Sequence, residues 1–378
     1  MKILFIHSHK FRKINSRIFS LGGLSEEVLN RYINKDDEIT VISRIVNEER
    51  SKSNYSEIKD SRIKIKNIYD IKLKGLKKEI RESEVVIIRL PCLIGNIAIK
   101  FAKKYNKKYL IEVVGCGWDA YWNHGILGKI LAPISYFSMR KNVKSASNVL
   151  YVSNNFLQNR YPTKGKTIAC SDVIINEVED NILKNRLSKI DKFNNKNIIL
   201  GTIGAVNVKY KGQEYIIKAI KSLKENGYKV RYELVGSGNS EYLKKIAKKY
   251  NVLEEVKFIG SLEHNQIFTW LDNIDIYVQP SKLEGLCRAV IEALSRACPC
   301  ILSDAGGNVE LIDNKYIFKK KNILDFIDKL NKLNKQEMKK QAINNFNKAK
   351  EFSDKKLNEK REEFYSDFLV GDEKWNRN

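Results

Sequence analysis

Residues 278–304 read VQPSKLEGLCRAVIEALSRACPCILSD. An apolar strand closes at Pro280, a short polar turn follows, and an amphipathic helix is expected from Gly285, ahead of a second apolar strand at Cys300–Ser303. This strand, helix, strand order is that of a parallel sheet covered by helices. It also has a chemical consequence. The N–H groups of Gly285, Leu286 and Cys287 would lie unpaired at a helix N-terminus, where an anion such as a diphosphate binds. Glu284 stands at that mouth and can accept hydrogen bonds from sugar hydroxyls, and Glu292 can reach a second polyol such as a ribose. Without further context, the same two carboxylates read as a cap and a solvated face.

The pattern repeats outward. In the second half, strands are expected at Ile198–Ile203, Val230–Val235, Val256–Ile259 and Ile274–Val278, with helices between them. In the first half, they are expected at Lys2–His7, Ile39–Arg44, Ile63–Ile68, Val85–Leu90, Lys108–Val113 and Val149–Val152. Residues 171–197 are polar and Asn-rich, so the linker is placed there. At 378 residues the chain exceeds one core, and two α/β domains are expected, at 1–165 and 175–350, with a helical tail at 351–378 whose final helix, about Asp354 to Phe368, either crosses back to the first domain or stays apart from it.

Charge is uneven. Residues 1–165 carry 31 Lys and Arg against 15 Asp and Glu, two-thirds of the net +24. One lobe therefore meets an anionic partner, a membrane surface or a nucleic acid, or else the excess is a compositional bias toward Lys. No zinc spacing or RNA-binding aromatic signature supports the nucleic acid, and none is expected as a partner. The 6 cysteines show no CxxC spacing and read as reduced thiols, which points to a cytoplasmic setting. No apolar run is long enough to span a bilayer, so any membrane contact is expected to be peripheral.

The 278–304 stretch resembles the signature of the family 4 retaining glycosyltransferases of bacterial surface-polysaccharide assembly. Pro280-Ser281, Glu284-Gly285, Glu292-Ala293, the strand at Cys300 and Gly306-Gly307 all stand where that signature has them. The resemblance implies a GT-B fold of two facing Rossmann-like domains and transfer of a sugar from a nucleoside diphosphate to an acceptor hydroxyl with retention. It implies that Glu284 contacts the donor sugar, that Gly285 and Leu286 present backbone donors, and that Glu292 holds the ribose. The acceptor would be a glycan or lipid-linked glycan. Other GT-B activities, epimerase or phosphorylase, are the alternatives within the fold.

LGTIGAVNVKYKGQEYIIKAI, residues 200–220, carries a strand into a turn with Gly204, Lys209, Lys211 and Gly212. The family pattern has Gly-Arg and Lys-Gly pairs here, whose cations clamp the diphosphate. Lys211-Gly212 matches the second pair, but Ala205 replaces the arginine, and Lys209 is the candidate substitute. Gly236 and Gly238 resemble a family turn that leaves room for the nucleotide. Gly260–Leu262 resembles the segment whose backbone frames the base.

In the first half, Gly22-Gly23 resembles the glycine loop that faces the donor. The family's histidine near the end of its strand is replaced by GCGWD, leaving Asp119 as the polar contact and His124 as a weaker one. Trp118, Tyr121 and Trp122 either stack on an acceptor sugar or pack the domain. Ile126, Leu127, Ile130, Leu131, Ile134 and Phe137 recur at helical spacing ahead of Arg140, Lys141 and Lys144, which suits either a core-facing helix or one lying on anionic lipid. No metal is expected, since His and Cys form no ligand-spaced cluster and no Asp-x-Asp triplet occurs.

Overall fold

Short β-branched runs flanked by amphipathic stretches form parallel strands buried on both faces, because each crossover helix covers one face of the sheet. A computed structural model describes residues 1–49, 55–122 and 125–370. Two units separate, Met1–Asp172 with Asn358–Asn378, and Val173–Leu357. Against the sequence boundaries of 165, 175 and 350, the described residues from Asn358 group with the first unit, as a final helix crossing back to it would.

Among its described residues the first unit has nine strands: β1 (Lys2–Ile14), β2 (Arg17–Ser20), β3 (Glu38–Asn47), β4 (Ser56–Ile58), β5 (Ile63–Asn67), β6 (Val85–Leu90), β7 (Lys108–Val113), β8 (Asn148–Tyr151) and β9 (Lys166–Ala169). Strands β5, β3, β1, β6, β7, β8 and β9 run parallel in that order, while β2 and β4 add an antiparallel edge. The first strand therefore does not stop at His7. It continues to Ile14 and turns back as β2 before reaching Gly22.

Every residue of β6 is buried, Arg89 included. Arg89 is neutralised in register by Glu112 of β7, with Nη1 3.2 Å from Oε2, and it also pairs with Asp172. The Tyr32 and Tyr365 hydroxyls donate to the same Glu112 carboxylate. Tyr365 lies in the helix Asp354–Val370, so this buried carboxylate fastens the end of the chain to the first sheet.

The second unit is a six-stranded parallel sheet, β10 (Asn197–Ile203), β11 (Lys229–Val235), β12 (Val256–Gly260), β13 (Ile276–Gln279), β14 (Cys300–Ser303) and β15 (Ile317–Phe318), in the order β12-β11-β10-β13-β14-β15. Helix Gln213–Glu225 buries Ile216, Ile217, Ile220 and Leu223 on its sheet-facing stripe. Two sequence expectations are refined here. The boundary between the units falls inside the polar stretch 171–197, where the linker is expected, and the later part of that stretch forms a helix, Asp180–Asp191, whose buried Arg186 donates to the carbonyls of Leu271, Ile274 and Arg296. The helix expected from Gly285 begins at Arg288, with Cys287 at its N-cap. All six cysteines are buried, and none is joined in a disulfide.

A third point concerns the helix Gly125–Lys144. Its large apolar residues Ile126, Leu127, Ile130, Ile134 and Phe137 are exposed, so they do not face the core. Among the described residues no helix is long and apolar enough to cross a membrane.

Candidate donor site

In the second unit the strand order reverses between β10 and β13, and the crevice at the carboxyl ends of those strands is where open α/β sheets bind ligands. Two loops meet there. The Lys282 N–H of the loop after β13 donates to Tyr210 O of the loop after β10 at 2.7 Å. Gly212 makes this approach possible. Its φ is +73°, and a Cβ there would stand 2.0 Å from Pro280 O.

This seam brings Lys211 and Glu284 together, with Nζ 2.8 Å from Oε1. The Lys211 stem runs past Gly204, whose added Cβ would touch it at 3.4 Å. Behind Glu284, Ser281 Oγ donates to Oε1 at 2.7 Å and Gln279 Nε2 at 3.3 Å. Gln279 is itself oriented by the buried Tyr277 hydroxyl, so the carboxylate is held by a buried chain of donors. Among the described residues, no group of the protein hydrogen-bonds the other oxygen, Oε2. Burial alone would depress the Lys211 ammonium, but the Glu284 charge and hydrogen bond outweigh it and hold the amine protonated well above its ordinary range.

The next three residues form a bent segment rather than a helical turn. Among the described residues, the N–H groups of Gly285, Leu286 and Cys287 have no acceptor in the protein, while Gly285 O is taken by Gly307 N–H at 3.0 Å. The Gly306-Gly307 turn thus braces this segment from behind. The Cys287 thiol is pushed up to about 12, first by burial and then by the Glu284 charge, so it stays protonated and is no nucleophile. Glu292, on the helix Arg288–Ser295, is half-buried, and its carboxylate is bonded to no group among the described residues. Burial raises its pKa, and the nearby Arg288 and His264 charges offset part of that rise.

The remaining predicted residues divide. Gly236 lies against the Gly204 backbone, where a Cβ would stand 2.3 Å from Gly204 O, and its N–H donates to Gly260 O, tying in the segment that leads to Leu262. Lys209 is not drawn to the Lys211–Glu284 pair. It is exposed, with Nζ 5.0 Å above the Tyr242 ring. Gly22 lies in open space at φ +80°. Gly23 follows it in the same turn ahead of the helix Glu26–Asn30.

Asp119 opens the short helix Asp119–Trp122 beside Cys116, whose thiol burial and the Asp119 charge push upward. Trp118 stacks on Trp122 at 4.9 Å, and also meets Tyr136, so these rings pack against each other. His124 lies outside the described residues, as do residues 373–378.

Sequence reasoning missed Gln279 and Ser281 as supports of Glu284. The alternation of VQPS, which turns Gln279 and Ser281 to one side of the strand end, was the signal available.

Comparison with known proteins adds three findings. Residues 184–350 match the family described as glycosyl transferases group 1. The chain is 35% identical over 371 residues to protein CapJ of Staphylococcus aureus, covering 91% of this chain and 90% of that one. It is also 25% identical over 196 residues to the capsular polysaccharide biosynthesis glycosyltransferase CapM of Staphylococcus aureus, covering 48% and 49%. In fold it is similar to the crystal structure of Anabaena HepE in complex with UDP, with a TM-score of 0.65, 13% identity, and coverage of 97% of this chain and 100% of that one.

Proposed function

The chain belongs to the glycosyl transferases of group 1, and from that premise we propose that it moves a sugar from a nucleoside diphosphate to a glycan hydroxyl, with retention, in surface-polysaccharide assembly. The observation that carries this reading is the Lys211–Glu284 pair beside three unbonded backbone N–H groups. A fixed ammonium and unbonded backbone N–H groups suit a pyrophosphate and gain strength as charge develops on it during departure. In this reading Glu284 Oε2 accepts donor-sugar hydroxyls, and Glu292, whose carboxylate is bonded to no group among the described residues, takes the ribose diol.

Catalysis then rests on alignment and on stabilising the leaving diphosphate, with no side-chain nucleophile assigned. We assign the neutralising role to Lys211 and the N–H groups rather than to a metal, so activity is expected to survive a chelator. The acceptor is proposed to be lipid-linked and presented at the cytoplasmic face of a membrane, which suits the basic first unit. Asp119 and the Gly22-Gly23 turn are proposed to face that acceptor and the donor. Structural likeness to a UDP-bound protein supports a nucleotide donor and leaves the choice of base to experiment.

The test is a thermal-shift screen with UDP, GDP, ADP and their sugars. A true donor at a hundred times its Kd adds about 2.7 kcal/mol. No stabilisation by any nucleoside diphosphate overturns the proposal.

A further inference from the structure

The helix Gly125–Lys144 is built the wrong way round for a helix bathed in water. Its protein-facing side carries the small or polar Gly128, Ala132, Ser135 and Asn142 along with Met139 and Val143. Its outer side carries Ile126, Leu127, Ile130, Ile134 and Phe137, between 57% and 79% exposed. At 3.6 residues per turn these five fall within about a third of the circumference and extend for about 17 Å. Large apolar side chains gathered in one ridge exceed the scattered exposure ordinary on a soluble surface, and the hydrophobic effect favours covering them.

The surroundings say what covers them. The same helix continues into the exposed Lys141 and Lys144, which fall on the ridge side of the cylinder. The neighbouring helix Leu93–Lys104 is joined to it through Asn142 Nδ2 donating to Asn96 Oδ1 at 2.9 Å and Lys103 Nζ donating to Ser145 Oγ at 2.5 Å. That second helix exposes Leu93 and Ile97 and ends in Lys103 and Lys104. Neither helix contains a single Asp or Glu. An apolar ridge continued by uncompensated cations matches a bilayer of anionic phospholipid, with acyl chains for the ridge and headgroups for the lysines. A protein partner would need an acidic rim around an apolar groove, and a second copy of this surface would set lysine against lysine.

We propose that this ridge is the membrane-docking surface of the protein, inserting Ile126, Leu127, Ile130, Ile134 and Phe137 into the headgroup boundary of an anionic leaflet. The inference deepens the lipid-linked reading given above and rests on it for its purpose. Docking through the first unit holds the enzyme at the surface where such an acceptor lies.

The experiment is sedimentation of the full chain with vesicles of phosphatidylcholine alone or containing about 30 mol% phosphatidylglycerol. The chain is expected to sediment with the anionic vesicles and to be released as salt rises. Ile130→Asp with Phe137→Asp is expected to weaken binding at least about tenfold, and Lys141→Glu with Lys144→Glu to abolish the preference for anionic lipid. The circular dichroism spectrum and the nucleotide-induced thermal shift should be unchanged in both variants, which separates lost docking from misfolding. Equal sedimentation with both vesicle types, or unaltered binding by the aspartate variant, overturns the proposal. So does a wild-type dimer in ultracentrifugation that the aspartate variant dissolves, since the ridge would then be a seam between copies. Sedimentation uses no nucleotide, and the thermal-shift screen uses no lipid, so failure of one reading is distinguishable from failure of the other.

Discussion

The Lys211 ammonium sits 2.8 Å from the Glu284 carboxylate, and the two side chains come from loops on opposite sides of the point where the strand order of the second sheet reverses. Each residue fixes the other. Glu284 keeps the amine charged and holds it at the loop that runs into Gly285, while Ser281 and Gln279 donate to Glu284 independently of the lysine.

Lys211→Met should therefore damage turnover more than folding. Removing one preorganised donor to a developing oxyanion costs about a hundredfold to a thousandfold in kcat. The two remaining donors to Glu284 should limit the stability loss to about 1 kcal/mol. Donor turnover and urea denaturation of the same preparation check both numbers. A variant with unaltered kcat would remove Lys211 from the mechanism.

Glu292 trades stability for binding. Its folded pKa is raised by burial, so the folded state holds its proton more tightly than the unfolded chain does. Such a group favours folding at low pH, and that contribution is lost as pH climbs from the ordinary glutamate value of 4.5 through the higher folded value. Glu292→Gln should melt higher than the wild type at neutral pH, converge with it near pH 4 to within about the width of one titration, and show a smaller shift with donor. An unchanged donor shift would reject the ribose assignment.

Acid should loosen the first unit. Burial, followed by the Arg89 charge, lowers His7 to about 3, and burial with Arg12, Arg89 and Arg44 lowers His9 to about 4, against 6.5 in the unfolded chain. The folded state thus binds fewer protons, and stability present above pH 6.5 is lost as pH falls toward those folded values. At pH 5 the loss is about 1–2 kcal/mol per ring. His7→Gln should flatten the dependence of the melting midpoint on pH across this window, measured by calorimetry.

Glu112 is the linchpin of the first sheet, taking Arg89 in register along with two tyrosine hydroxyls. Glu112→Ala leaves the buried Arg89 to Asp172, strips two buried tyrosine hydroxyls of their carboxylate acceptor, and should cost about 3–5 kcal/mol in denaturant unfolding. Tyr365→Phe removes one hydroxyl and should cost about 1 kcal/mol. Comparable losses from the two variants would contradict this account.

Much of the architecture was legible in the chain, and the failures share causes. Runs such as VVIIRL and IILGTI announce strands because a sheet covered on both faces demands continuous apolar residues. Strands β2, β4, β9 and β15 went unread, since strands of only two to four residues at or next to a sheet margin need no such run. The helix Asp180–Asp191 hid in polar composition, because what holds it is one arginine reaching three carbonyls rather than an apolar stripe.

For the site, residues 278–304 alone determined the parallel α/β class, the acid pair and the exposed backbone donors, since these are local consequences of residue type and spacing. Tertiary structure alone decided that Lys211 meets Glu284 across 73 residues of chain while Lys209 turns to Tyr242. It alone decided which side of Gly125–Lys144 faces outward. Periodicity reports that an apolar stripe exists. Which neighbour the stripe meets depends on close packing, where small residues can seat a helix against its domain and leave the large ones to another phase.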